Sequence, residues 1–366
     1  MNEVVERLVE WKERGEGRPF LLEIWPTNRC NLKCKMCGTW ASRRRLEKNG
    51  VKYDPKEEIK NEVSDERLVE LIDEAKELGV YEVLITGGGE PFLRKELTLK
   101  LMERIKAYGL SGNLNTNGTL FSRLDIKRIV EIGWDKIMFS IDAPDAKIHD
   151  FIRGVNGTFK KVKKSLMEFK KVKNKLKVSK PQIVFNTVLT KFIVDRIDKM
   201  IKFASKVGCE DITFIPLIIY DRSMERIDLS KEDKIRFQKK IGKFIEISKK
   251  LNVNTNLEKL FLPAKRMNEI ILREMKNSPN TLIYSPCFEP FLHFLVKANG
   301  EATCCCMLEN SPENIKLKSM KEIWIGGFFN QLRKDFINKR IRKECKFCVF
   351  SQFIKNKEIR KLLKEI

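Results

Sequence analysis

Between residues 21 and 217 the chain repeats one beat: a short apolar run, a polar or glycine-rich turn, then a stretch of helical periodicity. Ser64 reads as an N-cap with Asp65 and Glu66 in the first turn. Leu68, Leu71, Ile72, Ala75 and Leu78 recur at helical spacing until Gly79 stops the helix. Val80 to Thr86 follows as a buried strand. Helical stretches over 97–107, 124–132 and 194–206 lead through Gly109, Gly133 and Gly208 into strands at Leu114 to Thr116, Lys136 to Ile141 and Asp211 to Leu217. A lysine-rich helix leads into Gln182 to Leu189, and with Leu21 to Trp25 the count is six strands. Strand alternating with helix predicts a parallel sheet. Six units fall short of a closed eight-stranded barrel, so the expected fold is α/β, a partial (β/α)6 TIM barrel with a lateral mouth.

Polar residues gather at the C-terminal ends of these strands, where parallel sheets place their sites. Gly87-Gly88-Gly89-Glu90-Pro91 follows strand two, Asn115-Thr116-Asn117-Gly118 ends strand three, Ser140-Ile141-Asp142 ends strand four and Asn186-Thr187 lies in strand five. Strand one leads into Asn28-Arg29-Cys30-Asn31-Leu32-Lys33-Cys34-Lys35-Met36-Cys37, a C-x3-C-x2-C spacing. A structural metal site closes with four protein ligands. A loop offering three thiolates holds three irons of a cubane and leaves the fourth open to another ligand. With ten cysteines and only His149 and His293 as histidines, any metal site is mostly thiolate, which suits zinc or iron–sulfur.

A second group follows residue 281. Cys287 precedes an apolar strand, His293 to Lys297, and Asn299-Gly300 makes a hairpin turn that returns to Cys304-Cys305-Cys306. Ser319 to Trp324 and a basic helix through Arg333 lead on to Cys345-x2-Cys348. The spacing C-x12-G-x4-C selects Cys305. Strand alternation would set Cys305 on the opposite face from Cys304 and Cys306, either of which could substitute for it. The spacings alone also admit a zinc ribbon.

The cysteine loop together with Gly88-Gly89-Glu90-Pro91 resembles the radical S-adenosylmethionine (SAM) superfamily. Met36 departs from the aromatic residue often found there but stays apolar. The resemblance implies that Cys30, Cys34 and Cys37 hold a 4Fe–4S cluster whose open iron binds SAM. It also implies that the backbone of Gly88, Gly89 and Glu90 meets the methionyl amino group, and that Ser140 and Arg153 hold the methionyl carboxylate. Arg suits a carboxylate because its planar donors pair two at a time. Asn115, Asn117 and Asp142 are neighbours of the ribose in this reading, or caps and turn formers in the plainer one. The C-terminal module resembles SPASM/Twitch domains in a shorter, single-cluster form. That implies a second, auxiliary 4Fe–4S cluster on Cys287, Cys305, Cys345 and Cys348. The implied activity is reductive cleavage of SAM to a 5′-deoxyadenosyl radical, which abstracts hydrogen from a substrate. The resemblance further implies a peptide or protein substrate, with an anionic small molecule as the alternative, and a reducing partner of the ferredoxin or flavodoxin kind.

The expected division is an N-terminal helix over 1–17, a barrel over 18–220, bridging helices over 221–280, the auxiliary module over 281–350 and a C-terminal helix over 351–366. With about 17 residues before the barrel, a fused leader-binding domain is not expected. Residues 43–61 read as a long polar insertion, a lid or a loop. No apolar run is long enough to span a membrane and the N-terminus lacks a signal-peptide pattern, so a cytoplasmic protein is expected. The net charge of +23 suits an acidic partner, and it equally suits a lysine-rich, thermophile-like composition. Lysines crowding residues 160–180 read as a solvated helix face. A zinc-stabilised nucleic-acid-binding protein rests on charge alone, without an interleaved aromatic–basic motif, so nucleic acid is not the expected partner.

Overall fold

The six expected strands form in order: β1 (Leu21–Ile24), β2 (Glu82–Ile85), β3 (Ser111–Thr116), β4 (Lys136–Ser140), β5 (Gln182–Leu189) and β6 (Asp211–Pro216). This computed structural model describes residues 2–49, 54–260, 277–308, 310–340, 342–348 and 350–365. Each of β1 to β5 pairs in parallel with the next. Three strands extend the sheet: β7 (Asn254–Thr255) beside β6, β8 (His293–Val296) parallel to β1, and β9 (Ala302–Thr303) antiparallel to β8. The order β7-β6-β5-β4-β3-β2-β1-β8-β9 leaves the sheet open at both ends.

The period-two pattern decides which residues meet the helices. Leu22 and Ile24, Val83 and Ile85, Ile137 and Phe139, and Phe294 and Val296 belong to one buried core. The helices of the repeat complete it: α4 (Asp65–Glu77) with Leu68, Leu71, Ile72 and Ala75, α5 (Lys95–Ala107) with Leu101, Met102 and Ile105, α6 (Arg123–Glu131) with Ile126 and Ile129, α8 (Thr158–Leu176) with Val162 and Leu166, and α9 (Ile197–Val207) with Met200 and Ile201. Their alternates Glu23, Asn115, Ser140 and Asn186 take the other face, and Asn186 donates to Asn115 across it (3.4 Å).

Two sequence expectations meet a different structure, and a third lies largely outside the described residues. The insertion at 43–61 contains two helices, α2 (Gly38–Lys48) and α3 (Pro55–Asn61). Asp54 caps α3 by accepting from the backbone of Lys56, with Pro55 in the first turn. The helix expected over Leu257 to Met275 falls largely outside the described residues; Leu257–Lys259 is a single 3-10 turn. The strand before the cysteine triplet ends at Thr303; Cys304 lies in a bend and Cys306 starts a turn, so strand alternation does not sort them. The hairpin of the C-terminal segment continues the barrel sheet through β8.

The two chain ends meet. Val4, Val5 and Leu8 of α1 (Asn2–Arg14) pack with Leu282, Phe288, Phe291, Leu292, Ile359 and Leu363. Burying each large apolar side chain contributes about 1.5–3 kcal/mol, so this cluster anchors the N-terminal helix to the C-terminal segment.

Candidate cofactor and active site

The cysteine loop leaves β1 and enters α2, and neighbouring elements hold its backbone throughout. Arg94 donates to the carbonyl of Pro26 (2.6 Å), and Arg43, buried despite its charge, donates to that of Asn28 (2.7 Å). Arg29 forks onto Glu62 (3.0 and 3.1 Å). The backbone N–H of Glu90 donates to the carbonyl of Arg29 (2.8 Å). On the other side, the N–H groups of Lys33 and Lys35 donate to the carbonyls of Arg153 (3.1 Å) and Ile152 (2.8 Å), at the end of α7 (Ala146–Arg153). These carbonyls are free because a helix leaves its last ones unpaired. Gly154 follows at φ +70°, and a Cβ there would stand 2.3 Å from the Lys33 carbonyl oxygen. The sequence reading missed Arg43, Glu62 and Arg94; a polar insertion with three consecutive arginines was the available signal.

Gly88 and Gly89 need their missing side chains for the same loop. A Cβ on Gly89 would lie 2.0 Å from the Arg29 carbonyl oxygen, and one on Gly88 would lie 2.4 Å from Asn28 Oδ1. Glu90 is buried with its carboxylate filled: it accepts from Phe92 N–H (3.1 Å), the Thr116 hydroxyl (2.7 Å) and Asn117 N–H (2.7 Å). Burial pushes its pKa up against those donors. The Asn117 amide donates to Asn31 Oδ1 (2.8 Å), tying the end of β3 to the cysteine loop. Asn115 donates to the Thr86 hydroxyl (3.3 Å), and Ser140 sits half-buried at the end of β4.

Asp142 and Arg153, expected at opposite ends of one ligand, meet each other. Asp142 Oδ2 stands 2.6 Å from Arg153 Nη2 as an ion pair, and Asp142 Oδ1 accepts from Val188 N–H (3.0 Å). Asp142 is wholly buried, so this carboxylate braces the arginine. Burial raises its pKa, opposed by the Arg153 charge. Arg153 Nη1 lies 3.7 Å from Cys34 Sγ, while its buried Nε has no hydrogen-bond partner among the described residues. Burial drives the Cys30 thiol up to about 12 and raises that of Cys34, where Arg153 works in the other direction. Thiolates this buried need positive charge beside them, which iron supplies.

The second cysteine group closes around the β8–β9 hairpin. Cys304 is buried in the core, Cys305 is half-buried with its sulfur accepting from Met307 N–H (3.4 Å), and Cys306 is exposed. Cys287 lies within electrostatic reach of Cys305 and Cys348, and Cys345 within reach of Cys305; Cys304 is within reach of Cys287, Cys305 and Cys345 as well. Among the described residues no three His, Cys, Asp or Glu side chains crowd to the spacing of a single metal ion. A cubane asks for less crowding, since each thiolate takes a different iron. Cys209 is a core residue, as expected.

Two features had no counterpart in the sequence reading. His293 lies between Glu289 (Nδ1 to Oε2, 2.7 Å) and Glu23 of β1 (Nε2 to Oε2, 3.1 Å), and Glu289 also takes Lys355 (3.1 Å) and Gln352. Burial opposes the histidine's charge, but the two carboxylates prevail and raise its pKa to about 10. Tyr220 lies against the end of the cysteine loop, its ring 3.2 Å from where a Gly38 Cβ would stand. Burial, then Cys306 and Cys37, raise its pKa.

An open parallel barrel with a three-thiolate loop beside a buried, partly unpartnered arginine defines a cofactor enzyme's scaffold. The model of the radical SAM superfamily matches residues 24–204, and that of an iron–sulfur cluster-binding domain, SPASM, matches 287–349. The chain belongs to the radical SAM superfamily and carries a SPASM-type C-terminal domain; its cofactors are 4Fe–4S clusters and SAM. It is 33% identical over 197 residues to the "Probable GTP 3′,8-cyclase" of Pyrococcus horikoshii, covering 52% of this chain and 54% of that one. It is 28% identical over 204 residues to the mycofactocin maturase MftC of Mycolicibacterium smegmatis, covering 56% and 46%. The matches thus span about half the length of these curated relatives. The fold is that of Streptococcus suis SuiB bound to precursor peptide SuiA, with TM-score 0.61 and 17% identity over 90% of this chain and 70% of that one. An iron–sulfur family model over 287–349 displaces the zinc ribbon that the spacings alone allowed. No helix among the described residues is long and apolar enough to cross a membrane.

Proposed function

We propose that Cys30, Cys34 and Cys37 bind a 4Fe–4S cluster with SAM at its open iron, that Cys287, Cys305, Cys345 and Cys348 bind a second, and that the chain oxidises or otherwise modifies a peptide or protein. When bound, the first cluster and SAM supply a 5′-deoxyadenosyl radical that removes hydrogen from an unactivated position. The protein's own part is binding, orientation and exclusion of water. Gly88 and Gly89 let the strand-two turn lie against the cysteine loop, and Glu90 locks that turn to β3. Arg153, braced by Asp142, offers its unpartnered Nε toward a carboxylate beside Cys34. Ser140, Asn115 and Asn117 line the same end of the sheet for the polar parts of SAM. The division into a barrel over 18–220 and an auxiliary module over 281–350 belongs to this reading.

The observation that carries it is the buried Arg153, whose Nη1 lies beside Cys34 Sγ and whose Nε has no partner among the described residues: a donor left over for an anion at the edge of a thiolate loop. A peptide substrate is supported by SuiB, solved with a precursor peptide, and by MftC, named a maturase. An anionic small molecule is the second reading, favoured by the +23 charge and by similarity to a protein named for GTP. A reducing partner of the ferredoxin or flavodoxin kind completes the proposal. The test is anaerobic reconstitution followed by dithionite and SAM. The expected result is slow release of 5′-deoxyadenosine without substrate. A fully iron-loaded protein that releases none refutes the reading.

A further inference from the structure

We infer that the outer face of the cysteine loop is the docking surface for a small acidic one-electron carrier protein. The inference rests on the function proposed above, which requires an electron to reach the cysteine loop from outside. Lys33 and Lys35 flank the buried Cys34; Lys33 is exposed and Lys35 half-buried. Each is parked on an aromatic ring: Lys33 Nζ lies 5.5 Å from the centroid of Trp40, and Lys35 Nζ lies 4.6 Å from that of Phe151. Lys191 repeats the arrangement on Phe192 at 5.5 Å. Phe151 and Phe192 meet edge to face at 5.3 Å, and Phe151 is 48% exposed although it belongs to α7. The result is a patch of alternating rings and ammonium groups across α7, the cysteine loop and the turn after β5.

The acidic side chains of α7 and its N-cap are engaged locally. Asp150 accepts from the N–H groups of Gly157 (2.6 Å) and Phe159 (2.8 Å) and from the Thr158 hydroxyl (2.6 Å). Asp145 caps α7 at Ile148 N–H (3.0 Å) and pairs with Arg196 (3.2 Å). The patch therefore presents positive charge around an apolar centre, the make-up of a transient protein interface. Charge of this kind speeds encounter with an acidic partner. Lysines already held on rings lose less freedom when they bind. Electron tunnelling weakens exponentially with distance, so a carrier delivers best where the loop reaches the surface. The two lysines flanking Cys34 mark that place.

The experiment compares cluster-loaded wild type with a Lys33→Glu/Lys35→Glu/Lys191→Glu variant, each driven by reduced flavodoxin or by dithionite. The flavodoxin-driven rate of SAM cleavage should fall by about tenfold or more at low ionic strength, while iron content and the dithionite-driven rate are retained. Wild type should slow with added salt when flavodoxin is the donor, and the variant should not. Phe151→Ala should weaken the flavodoxin rate without changing its salt dependence. An unchanged flavodoxin rate in the triple variant overturns the docking surface alone. So does an equal loss with both reductants, which would make the patch part of the substrate or cofactor site. A wild type inactive with dithionite refutes the proposed function, and the docking surface falls with it.

Discussion

Cys30, Cys34 and Cys37 share one loop between β1 and α2, whereas Cys287, Cys305, Cys345 and Cys348 come from a segment before β8, a turn after β9 and a 3-10 turn near the C-terminus. The first group is nearly complete within its own few residues. The barrel then clamps its backbone through Arg43, Arg94, Gly89 and the carbonyls ending α7. The second group exists only once β8 has paired with β1 and the chain ends have packed together. A site of the first kind tolerates loss of its metal, because its walls are held by the barrel. A site of the second kind shares its stability with the metal, as structural zinc modules do.

The largest expected effect separates the two. Replacing Cys30, Cys34 and Cys37 together by Ala should abolish SAM cleavage and lower the iron from about eight to about four per chain. Circular dichroism should be unchanged. Melting of the barrel in that variant would break the contrast, and zinc in the C-terminal site of anaerobically purified protein would refute the auxiliary cluster. Cys345→Ala/Cys348→Ala should leave uncoupled SAM cleavage, suppress the oxidised product and lower the melting temperature. Normal product from a folded variant lacking the second cluster would reduce that cluster to a structural staple.

Third comes His293, which joins β8 to Glu23 of the barrel and Glu289 of the auxiliary segment. His293→Ala leaves Glu23 without its cationic partner and Glu289 with Lys355 alone, and should cost about 3–5 kcal/mol, read by denaturant melts. Its folded pKa is raised from 6.5 to about 10, so its stabilisation is complete below the unfolded value and fades as pH climbs through the folded one. The gap in melting temperature between wild type and His293→Gln should therefore close between pH 7 and 10. A gap that widens over that interval would refute the charged-histidine bridge.

The smallest effect sharpens the first site. Arg153→Ala should cost about 1.5–3 kcal/mol of SAM binding, roughly tenfold or more in affinity. It also strands the buried Asp142, so some loss of stability is expected. Adding Asp142→Asn should restore stability but not SAM affinity, measured by equilibrium binding to the reconstituted protein. Unchanged affinity in Arg153→Ala would show that another residue holds the carboxylate.

The period-two and helical patterns of residues 21–217 sufficed for six parallel strands and their helices, because each unit buries its apolar face by local periodicity. The cysteine spacing likewise marked the first site, since its ligands share one loop. Asp54-Pro55 carried a readable start for α3 that the polar composition around it obscured. Strand alternation could not sort Cys304 to Cys306, because the strand stops at Thr303. Which of the polar strand ends touch one another was beyond sequence reasoning too. Asp142 and Arg153 read as separate ligand contacts, and only the approach of α7 to β5 pairs them.

The sequence alone determined the parallel barrel and the three-thiolate loop, because both depend on residues close together in the chain. Tertiary structure alone decided that β8 extends the barrel beside β1, that α1 rests on the C-terminal segment and that His293 is held charged between two carboxylates. Those contacts join residues as far apart as Glu23 and His293. They depend on the alignment of strand edges and the closure of a long loop, which local periodicity does not encode.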